Sequence, residues 1–307
     1  MNSVCLAILN YNGRKHLEHL LPTACAAAKK FFGICTVVVL DNQSTEDDVA
    51  WIEREFPSVK TIVAPKNDFL FSYNWLAQKR TEDILVLLNN DLKVDHDFLA
   101  PLLRHFQSPD VFSVSARSYD WNGTVVTSGP TRLKFNNGFY SWKFDTQHQR
   151  TCYTLFTSGG FMAVDRNKFV ELGGFNRLFY PAYCEDLDIC FRAWRQGWRC
   201  LYEPDSVVWH RHQATWSKNS IGSLSSLELR SLLLMQWSTF PMHRARLARL
   251  RSLLKLFLGS LFSADRIWIK TYPATLLNWI AIRRRYLWMK VQDCELSQIL
   301  SRIGEEC

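Results

Sequence analysis

Four places in this sequence carry residue types and spacings that can do chemistry. The first is Asn89-Asn90-Asp91, which stops the apolar run Ile84–Leu88 abruptly. Oxygen ligands just past a buried strand suit a hard divalent cation, Mg²⁺ or Mn²⁺, and leave coordination positions for phosphates. A capping turn explains them equally, because Asp95 and Asp97 follow ahead of a helical pattern over Phe98–His105. The second is Asp41, directly after Thr36–Leu40. A carboxylate there can accept hydrogen bonds from a ribose or base, or close an Asx turn with Asn42, Ser44 and Thr45. The third is Glu185-Asp186, with Asp188, behind the aromatic residues Phe179, Tyr180 and Tyr183. Such a carboxylate can take a proton from a hydroxyl while aromatic rings pack against the apolar face of a sugar. The helix macrodipole alone also favours acids at this place. The fourth is Trp209-His210-Arg211-His212. At strand spacing both histidines point the same way and can ligate a metal or bind phosphate, although a surface-facing pair is the plainer alternative.

The elements that must position these residues alternate in type. Short apolar runs at Ser3–Leu9, Thr36–Leu40, Val59–Val63 and Ile84–Leu88 read as strands. Helical spacing at Lys15–Lys30, Val49–Phe56 and Phe71–Lys79 separates them. This order predicts an α/β fold with a mostly parallel sheet and helices on both faces. The strands are apolar throughout, as burial on both faces requires. Ligands of such sheets bind beyond the carboxyl ends of the strands, and Asn10, Asp41 and Asp91 all lie just past such ends. The second half predicts strands at Phe112–Ser115, Val125–Val126, Cys152–Phe156, Phe161–Val164 and Ser206–Trp209. Helices are expected over Asn167–Leu172 and Asp186–Gln196, and Thr157-Ser158-Gly159-Gly160 forms a tight turn.

Composition sets the remaining bounds. The chain has 307 residues, 47% of them hydrophobic, which is enough for a substantial core. Nine scattered cysteines without a CxxC pair argue against zinc and against a disulfide framework. They predict reduced thiols and a cytoplasmic location. The N-terminal stretch has no basic n-region, so no signal peptide is expected. Neither GxGxxG nor GxxxxGK[ST] occurs, which excludes the dinucleotide fingerprint and the P-loop. Of the net charge of +8, residues 221–307 hold 13 Lys/Arg against 6 Asp/Glu, so the preceding part is nearly neutral. Residues 1–216 are expected to form one domain and 217–307 a basic helical appendage. Its Leu-rich patterns over Leu227–Met235, Ala245–Phe262 and Ile267–Met289 are too interrupted to span a bilayer. Basic amphipathic helices bearing Trp268, Trp279 and Trp288 suit the interface of an anionic membrane. A packed helical subdomain or a dimer surface is the competing reading, and nucleic acid is an unlikely partner.

Taken in order, these pieces resemble the nucleotide-sugar-dependent family 2 glycosyltransferases with a GT-A fold, in particular the bacterial rhamnosyltransferase-like enzymes of surface polysaccharide synthesis. The matching segments are LAILNYNG (Leu6–Gly13), VVVLDNQSTED (Val37–Asp47), ILVLLNNDLKVDHDFL (Ile84–Leu99), SGGFMAVDRNKFVELGGFN (Ser158–Asn176), YCEDLDICFRAWRQGW (Tyr183–Trp198) and VVWHRH (Val207–His212). The resemblance implies a GT-A type Rossmann-like mixed sheet and a sugar transferred from a nucleotide diphosphate to a hydroxyl of a glycan or lipid-linked acceptor. It implies inversion, with Mg²⁺ or Mn²⁺ held by Asp91 and His210 and with Asp186 as base beside Glu185. Asn10, Asp41, Asn67, Asn74, Asn89 and Asn90 would contact the donor nucleotide, and Tyr183, Trp216, Gly159 and Gly160 the acceptor. The enzyme would sit on the inner face of the plasma membrane. One departure is Asn67-Asp68-Phe69, where family members often carry Asn-x-Gly. A non-catalytic nucleotide-sugar-binding subunit of an assembly complex is the alternative.

Overall fold

The computed structural model describes residues 3–136, 139–211 and 226–238, together with 251, 254 and 301–303. Its first part alternates as the apolar runs predict: β1 (Val4–Asn10), α1 (Arg14–Lys30), β2 (Cys35–Asp41), α2 (Asp48–Glu55), β3 (Lys60–Val63), α3 (Ser72–Lys79) and β4 (Ile84–Asn89). After this come β5 (Leu92–Val94), α4 (Leu99–Leu103), β6 (Val111–Asp120), β7 (Thr131–Asn136), β8 (Phe139–Phe144) and β9 (Cys152–Tyr153). The last elements are β10 (Phe161–Asp165), α5 (Arg166–Glu171), α6 (Glu185–Arg195), β11 (Arg199–His210) and α7 (Ser226–Ser238).

Nine strands form one mixed sheet in the order β3-β2-β1-β4-β10-β6-β11-β5, with β9 paired to β11. The first four are parallel, and β10 enters antiparallel between β4 and β6. The register pairs Asn10 with Asp41 and Leu9 with Asn89, so three polar strand ends finish level at one rim. Alternation along each strand divides the core. Val4, Leu6 and Ile8 pack with the buried stripe Leu17, Leu20, Leu21, Ala24 and Ala27 of α1 on one face. Cys5 and Ala7 pack with α3, α5 and α6 on the other. Burial on both sides is why these strands are apolar throughout.

The second half corrects several expectations. Val125–Val126 is a single bridge from Val126 to Tyr119 and not a strand, and the strand expected over Cys152–Phe156 is only Cys152–Tyr153. The strand expected at Ser206–Trp209 runs the whole way from Arg199 to His210. The strand passes through Pro204 and Asp205 with a register shift between Glu203 and Val207, the usual accommodation of a proline in a sheet. The hairpin β7–β8 was not expected at all.

α7 is the longest described part of the appendage. Leu229, Leu233, Leu234, Met235 and Trp237 are buried in the same core cluster as Leu187, Ile189 and Phe191 of α6. This helix therefore packs on the sheet domain. The two further helical patterns, over Ala245–Phe262 and Ile267–Met289, lie outside the described residues apart from Arg251 and Leu254. Among the described residues no helix is long and apolar enough to cross a membrane, and none of the seven described cysteines is in a disulfide.

Candidate active site

The strand ends of β1, β2 and β4 carry one hydrogen-bonded network. Asn90 Nδ2 donates to Asn10 Oδ1 at 2.9 Å, and Asn10 Nδ2 donates to Asp48 Oδ2 at 2.8 Å. Asp48, wholly buried, also accepts the Gly13 N–H at 3.0 Å and faces Arg14 at 3.7 Å. Asp48 was missed in the sequence because an acid before a helical pattern reads as a cap. Gly13 is required for space, since a Cβ there would overlap the Asn90 and Asn10 amides. Asp41 is buried and forms the Asx-type turn: Oδ2 accepts the Ser44 N–H at 2.9 Å, and Oδ1 accepts the Ser44 hydroxyl.

The segment without the family's glycine keeps a glycine-like backbone. Phe69 stands at φ 52°, a left-handed conformation that costs about 1–2 kcal/mol in an L-residue. Asn67 Oδ1 accepts its N–H at 3.3 Å, Asn42 Nδ2 donates to its carbonyl at 3.1 Å, and its ring meets Tyr180 edge-on. Next to it, Arg177 grips Asp68 with both terminal guanidinium nitrogens, and this pairing holds the Asp68 carboxyl below its ordinary range. Asn74 has a different task. Its Nδ2 donates to the Phe175 carbonyl at 2.8 Å, and its Oδ1 accepts the Phe175 N–H at 2.7 Å. These two bonds tie α3 to the loop after α5.

Asp91 and His210 stand side by side. β11 pairs antiparallel with β5, setting His210 opposite Leu92, and His210 Nε2 lies 3.4 Å from Asp91 Oδ1. Asp91 is only 7% exposed, and its Oδ1 is buried with no hydrogen-bond partner. A buried carboxylate oxygen is rarely left so. One N and one O donor converging there fit a divalent cation. Asp95, His96 and Asp97 also cluster, but on an exposed turn where Lys30 pairs with Asp97. His212 and Trp216 lie outside the described residues.

The turn Gly159-Gly160 joins this rim to the acidic helix. Asn89 N–H donates to the Gly160 carbonyl at 2.8 Å, and a Cβ at Gly160 would stand 2.7 Å from Asn89 Nδ2. One residue earlier, the Gly159 N–H donates to Asp186 Oδ2 at 3.2 Å. Asp186 Oδ1 accepts the Leu187 N–H at 2.7 Å. Tyr183 and Cys184, at φ 73° and 67°, turn the chain sharply into α6, the kind of strain that gathers at functional sites. The three acids of this helix then divide. Asp188 is wholly buried and pairs with Arg192 at 3.0 Å, and Arg192 also donates to the Leu172 and Gly174 carbonyls. Arg192→Met should destabilise the fold by about 3–5 kcal/mol, the usual result of stranding one charge of a buried pair. Chemical denaturation measures it, and a loss under 1 kcal/mol would refute the assignment.

Glu185 and Asp186 face a cavity of about 510 Å³. Trp142 and Phe144 of β8 line it together with Tyr183, and α7 adds Glu228 and Leu232. The hairpin is the part of the site that sequence reasoning missed. Its signal was Asn137-Gly138, the dipeptide favoured between hairpin strands, flanked by TRLKFN and FYSWKF. Glu185 is 5% exposed and its Oε2 has no hydrogen-bond partner. Burial, then the charge of Asp186, pushes its carboxyl up to about 8. Burial also raises Asp186, against the two N–H groups that hold its charged form. Glu185 therefore makes stability fall with rising pH. The unfolded chain gives up this proton near 4.5, whereas the folded chain keeps it to about 8. Glu185→Gln should flatten the decline of the thermal midpoint between pH 5 and 8. A variant with the wild-type slope would contradict this environment.

Comparison with known proteins agrees with this geometry. The model of the family described as "Glycosyltransferase like family 2" matches residues 2–221. A putative polypeptide N-acetylgalactosaminyltransferase 10 of Drosophila melanogaster is 28% identical over 136 residues, which is 41% of this chain and 22% of that protein. The chain spans between 16% and 28% of the length of the curated relatives it matches. Among solved structures, GalNAc-T7 with UDP, GalNAc and Mn²⁺ superposes with a TM-score of 0.60 at 17% identity, over 78% of this chain and 48% of that one. S. aureus TarS 1-349 in complex with UDP-GlcNAc superposes with a TM-score of 0.59 at 14% identity, over 89% of this chain and 80% of that one. At such identities the likeness is one of fold, the GT-A fold.

Proposed function

The chain belongs to glycosyltransferase family 2, and from that premise we propose that it transfers a sugar from a nucleotide diphosphate to an acceptor hydroxyl with inversion. The observation that carries this reading is the Gly159-Gly160 turn, which hydrogen-bonds Asn89 on one side and Asp186 on the other. A donor laid over the rim would bring its anomeric carbon toward the cavity of the acidic helix. Asp91 and His210 would hold a divalent cation, which when bound neutralises charge on the leaving diphosphate. The N-acetylgalactosaminyltransferase neighbour carries Mn²⁺. The network of Asn10, Asn90 and Asp48 keeps the rim rigid, and Asp41 closes it on the nucleoside side.

Asp186 takes the proton from the acceptor hydroxyl as that oxygen attacks. Its two backbone N–H bonds hold the carboxylate in place, and its burial makes it a stronger base than an exposed aspartate. Glu185, kept protonated near neutral pH, is the poorer base of the two. The test is thermal stabilisation by UDP-, dTDP- and GDP-sugars, each with and without Mn²⁺ or Mg²⁺. A metal-dependent shift with one nucleotide class supports the reading and names the donor. No shift with any donor would remove it.

A further inference from the structure

The cavity beside α6 has a chemistry of its own. Three carboxyl groups line it, those of Glu185, Asp186 and Glu228, and no Lys, Arg or His stands among the described residues of its wall. The remaining wall is largely apolar and aromatic. Trp142 and Phe144 both pack on Phe156, with ring centroids 6.2 and 6.0 Å apart. Its volume of about 510 Å³ falls in the ~300–1,000 Å³ range of small-molecule sites. Glu185, 5% exposed, lines it with an oxygen that has no hydrogen-bond partner.

One wall comes from α7, and it is anchored at two places. Gln236, fully buried, binds the backbone of Tyr140 twice: its Oε1 accepts the N–H at 3.0 Å, and its Nε2 donates to the carbonyl at 2.7 Å. It thus extends the hairpin as an added strand residue would. At the other, Arg230 donates to the Tyr180 and Leu178 carbonyls at 3.0 and 3.3 Å, and Ser231 Oγ donates to the Ala182 carbonyl at 3.0 Å. Those carbonyls belong to the loop that leads into the strained pair Tyr183-Cys184. One helix therefore fixes the aromatic hairpin and the entry to the acidic helix relative to each other, and it presents Glu228 and Leu232 to the cavity.

We propose that this cavity is the acceptor subsite, that it admits a neutral or amino-bearing glycosyl ring and rejects one carrying a carboxylate or phosphate, and that Glu228 on α7 is the residue that sets this choice. The inference rests on the assignment of Asp186 as the base, since it places the acceptor beside that residue. Aromatic side chains offer a face to the C–H side of a ring. A carboxylate can accept from hydroxyls or an ammonium group but repels a second anion in a confined site. Acceptor choice is then written into a helix that follows the sheet domain in sequence.

The experiment is saturation-transfer NMR on the full chain without donor, using methyl glucoside, methyl galactoside, methyl glucosaminide and methyl glucuronide. The neutral and amino glycosides should bind, and the glucuronide should bind at least tenfold more weakly. Glu228→Gln should narrow that gap to threefold or less. Leu232→Trp, whose folding is read from its thermal midpoint, should abolish saturation of all four by filling the cavity. Equal binding of glucuronide and glucoside by the wild type overturns the proposal. So does a gap unchanged by Glu228→Gln, or no binding of any glycoside. None of these readouts needs donor or turnover, so their failure is separate from failure of the donor test. Should glycosides bind in this order while Asp186→Asn still turns over, the subsite stands and the base assignment falls.

Discussion

Asp186→Asn is expected to lower kcat by about 10²–10⁴-fold, the usual contribution of a positioned general base, while donor binding stays within about twofold of wild type. The substitution is nearly isosteric. An amide oxygen can still accept either the Gly159 or the Leu187 N–H, whose bonds to Asp186 measure 3.2 and 2.7 Å, so the start of α6 and the Gly159-Gly160 turn keep their places. What disappears is the basic lone pair. Asn cannot receive the acceptor's proton, and burial, the larger cause of the raised Glu185 carboxyl, still favours its protonated form in the variant. The loss should fall on kcat with the donor KM nearly unchanged, the signature of an interaction made in the transition state. Steady-state kinetics with the donor identified by thermal shift, alongside donor binding to the variant, separates the terms. Turnover near the wild-type rate would show that another group moves the proton.

How far the sequence reached follows from where each residue gets its surroundings. The rim was legible because a buried strand shows itself locally: an apolar run that ends in Asn10, Asp41 or Asn89 states both the strand and its end, and a parallel register then aligns those ends. The acidic helix was legible as a helix, but its three acids were not distinguishable. Only the fold shows Asp188 turned inward onto Arg192 and Glu185 turned to the cavity. Asn74 looked like a polar contact in waiting, yet its partner, the Phe175 backbone, lies 101 residues away. The hairpin β7–β8 left a local signal, TRLKFN alternating polar and apolar just before Asn137-Gly138, but it is fainter than the continuous apolar runs of the buried strands. α7 read as the start of a basic tail for a related reason. Its leucines are spread round the helix and show no single face, and it is Gln236 and Arg230, polar residues with backbone partners far away in sequence, that dock it.

Asp91→Ala is expected to abolish metal-dependent donor stabilisation and leave the metal-free protein as stable as wild type or more so. The two halves come from the same observation. Asp91 Oδ1 is buried without a hydrogen-bond partner and faces His210 at 3.4 Å. In the absence of a cation such an oxygen costs stability, because water has been removed from it and no hydrogen bond replaces the water. Alanine removes that cost, and the backbone bond from Arg211 N–H to the Asp91 carbonyl, 3.0 Å long, remains. With cation and donor present the balance reverses. A ligand at one hundred times its Kd stabilises the native state by about 2.7 kcal/mol, which in a domain of this size raises the thermal midpoint by roughly 5–10 °C. That increment requires both ligands of the pair. Asn89, whose amide lies against Gly160, is a neutral group and a weaker substitute for a carboxylate. Calorimetry of wild type and variant, with the cognate nucleotide sugar and with and without Mn²⁺, reads all four states. A variant that keeps the Mn²⁺-dependent shift would return Asn89-Asn90-Asp91 to the role of a turn, whereas a variant that loses it with its metal-free midpoint intact assigns the orphaned oxygen to the cation.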